Sequence, residues 1–230
     1  AINMYIDRDI DKLMVRTQNR PLVTGALTPR AAMIFAIALE IIAFCVLWAG
    51  ANLLAAILAV TATLFYVFIY SLWLKRTSKQ NIVIGGAAGA MPVLVGWAAV
   101  THSLGWAPVV LFVVIFLWTP PHFWALAIRH ADDYKAAGVP MMPVVVSLER
   151  TVRSMTVYAV LLTISTLILI PIAELGWIYG VTALVFGVAF VIGAVQLGSD
   201  PSEKRSMRLF TFSITYVTAI FVALTVDVLL

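Results

Sequence analysis

The sequence predicts an all-α fold, a polytopic transmembrane bundle of about seven spans, and three observations carry that expectation. Apolar runs recur along the chain at 31–49, 53–74, 82–101, 105–128, 154–173, 177–197 and 209–229. Each is about 20 residues, which at about 1.5 Å per residue crosses a hydrocarbon core of about 30 Å. The composition agrees: 63% of residues are hydrophobic and 11% charged, with a mean hydropathy of +1.03. A soluble domain carries about 25% charged residues, so water is not the main solvent of this chain. Finally, the basic residues fall only in alternate connections between the runs.

Taken in order, Arg8, Lys12, Arg16, Arg20 and Arg30 precede the first run, and Lys75, Arg76 and Lys79 follow the second. Arg129, Lys135, Arg150 and Arg153 lie between the fourth and fifth, and Lys204, Arg205 and Arg208 between the sixth and seventh. The connections near 50–52, 102–106 and 174–176 have none. Short cytoplasmic loops attract Lys and Arg, so the charged loops are expected on the cytoplasmic side, with the C-terminus near Asp227 outside. The net charge of +4 arises from that one face. Its basicity suits anionic lipid headgroups, and no nucleic-acid partner is expected. Gly and Pro inside several runs are tolerated in lipid-embedded helices, and the alternating short segments of a membrane β-barrel are absent. The single cysteine, Cys45, excludes an internal disulfide and any multi-cysteine metal site.

Acids collect on the same face. Residues 3–11 read Asn-Met-Tyr-Ile-Asp-Arg-Asp-Ile-Asp, so Asn3, Asp7 and Asp11 fall at i, i+4 and i+8 and share one side of a helix, with Asp9 pointing away. Two carboxylates about 6 Å apart repel by roughly 3 kcal/mol at an effective dielectric near 20. Protonation of one, basic neighbours, or a divalent cation between them relieves this. Mg²⁺ suits the last case, because it takes one or two carboxylates and completes its shell with water and phosphate oxygens. The nearby Lys12, Arg16 and Arg20 suit an anionic ligand such as a diphosphate. A solvated helix end of mixed charge is the plainer alternative.

The fourth run ends Trp118-Thr-Pro-Pro-His-Phe-Trp, where Pro120 and Pro121 are expected to kink or interrupt the helix. His122 sits among aromatics just inside the charged boundary, either as a packing residue or as a ligand. Asp132, Asp133, Tyr134 and Lys135 then form a second acidic and basic cluster on the face of the first, which makes a composite site an expectation. Glu40 is the one carboxylate deep in a span, a functional residue or a neutral, hydrogen-bonded one. Polar residues strung through the midplane, as a transporter needs, are otherwise missing. A non-catalytic scaffold would have no use for clustered Asp motifs.

At these motifs the chain resembles the intramembrane prenyltransferase superfamily, which includes the quinone and chlorophyll prenylating enzymes. Within it, the chain is most similar to the branch that farnesylates protohaem IX. The stretches that carry this are residues 3–11, Arg16-Thr-Gln-Asn-Arg-Pro-Leu-Val-Thr-Gly, and Gln80-Asn-Ile-Val-Ile-Gly-Gly-Ala-Ala-Gly-Ala. Trp118-Thr-Pro-Pro-His-Phe-Trp-Ala-Leu and Asp132-Asp-Tyr-Lys-Ala-Ala-Gly-Val-Pro-Met-Met-Pro-Val-Val complete the match and are the most specific. The resemblance implies a single domain over 1–230, with cytoplasmic Asp motifs at the mouth of a central cavity. On the superfamily's nine-helix plan, the first helix and most of the second are missing from it. Many superfamily members carry a second motif of more widely spaced carboxylates; Asp132-Asp133-Tyr134 stands there instead, as in the haem branch.

The resemblance further implies transfer of a farnesyl group from farnesyl diphosphate to a vinyl group of haem B, giving haem O for haem A and respiratory-oxidase biogenesis. A related enzyme acting on an aromatic acid or quinone precursor is the alternative. Asn3, Asp7 and Asp11 are then expected to hold Mg²⁺, with Asp7 and Asp11 as its carboxylate ligands, and Asp132, Asp133 and Tyr134 to complete the catalytic set. Arg16, Arg20, Lys75, Arg76, Arg129 and Lys135 are expected to face the diphosphate, and His122 the haem. The bacterial cytoplasmic membrane is the implied location, and haem A synthase or oxidase assembly factors the implied protein partners.

Overall fold

The computed structural model describes residues 1–230, and its regular structure is helical throughout. In chain order the helices are α1 (Ile2–Ile6), α2 (Arg8–Asp11), α3 (Pro21–Thr24), α4 (Pro29–Gly50), α5 (Leu53–Leu64), a π-helical segment (Phe65–Leu74), α6 (Lys75–Thr77) and α7 (Asn81–Thr101). There follow α8 (Trp106–Arg129), α9 (Ala131–Ala136), α10 (Met142–Val145), α11 (Leu148–Ile172), α12 (Trp177–Ser199) and α13 (Glu203–Leu229). Seven helices are long and apolar enough to cross a membrane, with Leu53–Thr77 counted as one. The protein is therefore a multi-span membrane protein, as its hydropathy predicts. Many large apolar side chains on the spans are exposed, Trp106 and Trp177 at 77% each, as expected of surface solvated by lipid.

Three details depart from expectation. The spans expected from 154 and from 209 begin at Leu148 and Glu203. Ser147 and Ser202 cap those helices by accepting from the backbone N–H of Arg150 and Arg205, so a polar first turn extends each beyond its apolar run. The prolines do not interrupt α8, which continues through Pro120 and Pro121 to Arg129. Residues 53–77 are not uniform α-helix, because Phe65–Leu74 winds as a π-helix.

The chain forms two compact units. The first comprises Ala1–Leu104 and His130–Val144. In it α4 packs on α5, α5 and the π segment pack on α7, and α1 packs on α4 and the π segment. Asn52 fastens one end of this unit: it caps α5 by accepting from Ala55 N–H at 2.9 Å and donates to the Ala98 carbonyl of α7 at 2.6 Å. The second unit, Gly105–Arg129 with Val145–Leu230, is a closed four-helix bundle in which α8, α11, α12 and α13 each pack on two neighbours. Several of its buried polar groups are paired: Thr166 Oγ1 meets Tyr216 Oη at 2.8 Å, and Tyr179 Oη donates to the Thr166 carbonyl at 3.1 Å. Paired in this way, they tie α11, α12 and α13 together without the cost of an unmade hydrogen bond in an apolar interior.

A candidate active site of buried carboxylates and cations

Residues 3–11 are not one continuous helix. The chain turns at Asp7 (φ −91°, ψ 4°), which closes α1 and opens α2. The face expected from the spacing nevertheless survives the break: Asp7 and Asp11 are 0% and 2% exposed, while the Asp9 side chain is 60% exposed. Two carboxylates withdrawn from solvent need compensation, and cations supply it. The segment after α2 folds back, with Thr17 Oγ1 donating to the Asp11 carbonyl at 2.9 Å. Pro21 holds Arg20 in extended backbone, and Arg20 Nη1 pairs with Asp11 Oδ2 at 2.7 Å. Lys75, at the end of the π segment, pairs with Asp7 Oδ2. Arg76 forks onto Asp9 through two 2.7 Å bonds and donates to the Ile6 carbonyl at 2.9 Å, closing the end of α1.

One acceptor is left over. Asp7 Oδ1 is buried and makes no hydrogen bond; Arg76 Nη2 stands 3.8 Å away from it. Burial therefore raises the Asp7 carboxyl above the ordinary carboxylate range, while the hydrogen bond and charge of Lys75 oppose the shift. Asp9 behaves oppositely, held well below that range by its bonds from Arg76. Asn3 joins the edge of the cluster by accepting from Ser71 Oγ at 3.4 Å.

The donor set fits Mg²⁺. A free, fully buried carboxylate oxygen on Asp7, a second carboxylate one turn on at Asp11, and the Asn3 amide oxygen are hard oxygen ligands. No three His, Cys, Asp or Glu side chains gather anywhere in the chain. An all-protein cage is thus absent, and a cation here would complete its shell with water and ligand oxygens.

The second acidic stretch lies in the same unit on α9. Asp132 and Lys135 are exposed, Asp133 and Tyr134 half-buried, and Asp133 Oδ2 lies 4.0 Å from His130 Nδ1. Its link to the N-terminal stretch is electrostatic: the Arg16 charge acts on the half-buried Tyr134 phenol. Burial raises this phenol above its ordinary range, with Arg16 pulling the other way. Arg129 and His122 belong instead to the second unit. Arg129 pairs there with Glu203 at 3.2 Å, on an exposed edge. His122 stacks between Trp118 and Phe210, with ring centroids 4.1 and 4.5 Å away.

The His122 tautomer follows from a single proton. Ser213 Oγ donates to the Phe210 carbonyl at 2.6 Å and lies 2.6 Å from His122 Nδ1. A hydroxyl has one proton, so Nδ1–H must be the donor to Ser213, and Nε2 keeps its lone pair. Glu40 accepts from Thr63 Oγ1 at 3.2 Å across α4 and α5.

Sequence reasoning missed Tyr66, Tyr70 and Ser71, uncharged residues inside the second apolar run. Tyr66 and Tyr70 lie close enough to Asp7 to feel its charge. The π-helical turn brings them into line with Lys75, a pitch that no residue type announces. Gly85 on α7 makes room for the Tyr70 ring, since a Cβ there would fall on ring atoms. Gly85→Ala is therefore expected to destabilise the protein by about 1–3 kcal/mol through overpacking and to displace Tyr70. Gly89, one turn on, has open space within 4 Å of where an added methyl would sit, and is the control. Gly89→Ala should be neutral or stabilising by up to about 1 kcal/mol. Thermal melts of the two variants in detergent check the contrast.

The chain belongs to the UbiA prenyltransferase family, whose model matches residues 1–221, and with its seven membrane-crossing helices it is an intramembrane transferase. It is 52% identical over 228 residues to the protoheme IX farnesyltransferase of Gloeobacter violaceus, covering 99% of this chain and 75% of that relative. Among solved structures, a digeranylgeranylglyceryl phosphate synthase superposes with a TM-score of 0.79 at 20% identity, over 98% of this chain and 78% of that one. A UbiA homologue from Archaeoglobus fulgidus, bound to DMAPP and Mg²⁺, does so with a TM-score of 0.63 at 18% identity, over 98% and 82%. The last two establish the shared fold.

Proposed function

We propose that the chain transfers the farnesyl group of farnesyl diphosphate to a vinyl group of protohaem IX, releasing diphosphate and giving haem O. The observation that carries this is the fully buried Asp7, with one oxygen held by Lys75 and the other unpartnered. Such a carboxylate is poised to gain a cation-bearing polyanion, and the similarity to a protoheme IX farnesyltransferase supplies donor and acceptor. Asn3, Asp7 and Asp11 would hold Mg²⁺, which when bound adds positive charge against the leaving diphosphate. Arg20, Lys75 and Arg76, held by Asp11, Asp7 and Asp9, supply cations fixed in place before the reaction and so costing little reorganisation during it, and the exposed Arg16 and Lys135 would add further positive charge. Asp132, Asp133 and Tyr134 belong to the same unit, where the Arg16 charge acts on the Tyr134 hydroxyl.

In the reaction the allylic C–O bond breaks and its electron pair leaves with the diphosphate. The π pair of the haem vinyl forms the new C–C bond, and the resulting cation takes hydroxide from water, releasing one proton. His122 serves the haem acceptor. With Nδ1–H committed to Ser213 and the ring clamped between Trp118 and Phe210, Nε2 is left as a lone-pair donor for iron. His122→Ala should shift the Soret band of bound haem B and weaken its binding about tenfold or more, as read by absorption titration. The basic loops favour a cytoplasmic orientation of the polar motifs at the bacterial inner membrane, where haem A synthase or oxidase assembly factors would receive the product.

Product analysis by mass spectrometry tests the reading. Membranes carrying the protein, given haem B, farnesyl diphosphate and Mg²⁺, should yield a haem heavier by one farnesyl group plus water, lost on chelation. Prenylation of an added aromatic acid, with haem unchanged, would keep the transferase and discard the acceptor.

A further inference from the structure

Four buried side-chain atoms lack a hydrogen-bond partner: Asp7 Oδ1, both amide atoms of Asn81, and Trp124 Nε1. Three of the four belong to two residues of the first unit, and Asn81 is the more unusual of the pair. It is 0% exposed, so neither bulk water nor protein satisfies its donor or its acceptor. Buried amides are nearly always paired, because leaving one unmade is costly. A leucine has the same branched skeleton of side-chain heavy atoms without that cost.

The fold brings Asn81 to the Asp7 end of the unit. Lys75, which holds Asp7, begins α6, and a tight turn follows in which Ser78 N–H bonds the Leu74 carbonyl and Asn81 N–H bonds the Ser78 carbonyl. Asn81 is thus the first residue of α7, six positions beyond Lys75. One helical turn on, Gly85 shares its side of α7 and accommodates the ring of Tyr70. The face bearing Asn81 is therefore the one turned to the segment that carries Tyr70, Ser71 and Lys75. An amide offers a donor and an acceptor together, and a hydrated polyanion can engage both.

Resting on the function proposed above, we infer that Asn81 is a further substrate-contacting residue. Its Nδ2–H donates to a diphosphate oxygen of the prenyl donor, and its Oδ1 accepts from water carried in with that group.

The test measures melting temperature and farnesyl diphosphate affinity in the presence of Mg²⁺ for purified Asn81→Leu, Asn81→Asp and Asp7→Asn. Asn81→Leu should melt at or above the parent without ligand, since it removes two unpaired polar atoms, and should lose about tenfold or more in affinity. Asn81→Asp is nearly isosteric and should lose at least as much, because it meets the diphosphate with like charge. A ligand-free Asn81→Leu that melts well below the parent, or an unchanged affinity in either Asn81 variant, would overturn the inference. Asp7→Asn separates the two readings. If it abolishes binding while the Asn81 variants bind normally, only the role of Asn81 fails; if it binds normally, the carboxylate site itself fails.

Discussion

Asp7→Ala lowers farnesyl transfer by at least about 10³-fold, the scale on which losing a preorganised charge partner acts on a transition state. The side chain is the centre of its cluster: it faces Lys75, lies 3.8 Å from Arg76, and keeps an oxygen free. Asp7→Asn keeps the volume and loses the charge, so it should fall nearly as far if charge is what matters. The pH profile adds an independent check. Burial raises the Asp7 carboxyl above the ordinary carboxylate range, and the ionised form is the one that attracts cations. In the metal-free protein, Mg²⁺ binding should therefore weaken as pH drops through that raised pKa, above where an exposed aspartate titrates. A Mg²⁺ affinity that falls only at the ordinary carboxylate position, measured by titration across pH, would remove Asp7 from this role.

Lys75→Met acts first on stability. Asp7 is fully buried and the Lys75 side chain 15% exposed, so removing the lysine strands a carboxylate in an apolar interior. Breaking such a pair costs about 3–5 kcal/mol, and the protein should melt markedly lower at neutral pH. Lys75 is also what opposes the upward shift of Asp7, so in its absence the folded-state pKa rises further. A carboxyl raised in the folded state contributes stability below its unfolded pKa, and that contribution is lost as pH rises through the folded value. The defect of Lys75→Met should accordingly shrink toward acid pH. Adding Asp7→Asn should restore much of the melting temperature while leaving the enzyme inactive. A Lys75→Met melt equal to the parent at neutral pH would show that the pair does not hold the fold at this point.

The spans were legible because lipid imposes a length and a composition that about 20 apolar residues satisfy in only one way. The acidic stretch was legible in part: the spacing of Asp7 and Asp11 announced a common face, and both are buried. Their partners were not, since pairing depends on where chain segments meet. Arg20 reaches Asp11 because the chain folds back through Thr17, and Arg129 meets Glu203 because α8 packs on α13. Neither is a local property of sequence. Asn81 was invisible for a related reason. An asparagine near a polar loop reads as a solvated turn residue until the structure shows it fully buried without a protein partner.

The π-helical stretch Phe65–Leu74 has a consequence for how this chain can vary. Phe68, Leu72 and Trp73 are 56%, 48% and 58% exposed, facing outward, where one bulky apolar group can replace another. The number of residues between Tyr66 and Lys75 has no such latitude. A one-residue deletion would let the segment relax toward ordinary α-helix, a gain by local propensity. It would also turn Lys75 and Arg76 about the helix axis, away from Asp7 and Asp9. Homologous chains can thus drift in spelling here while being held to a fixed count.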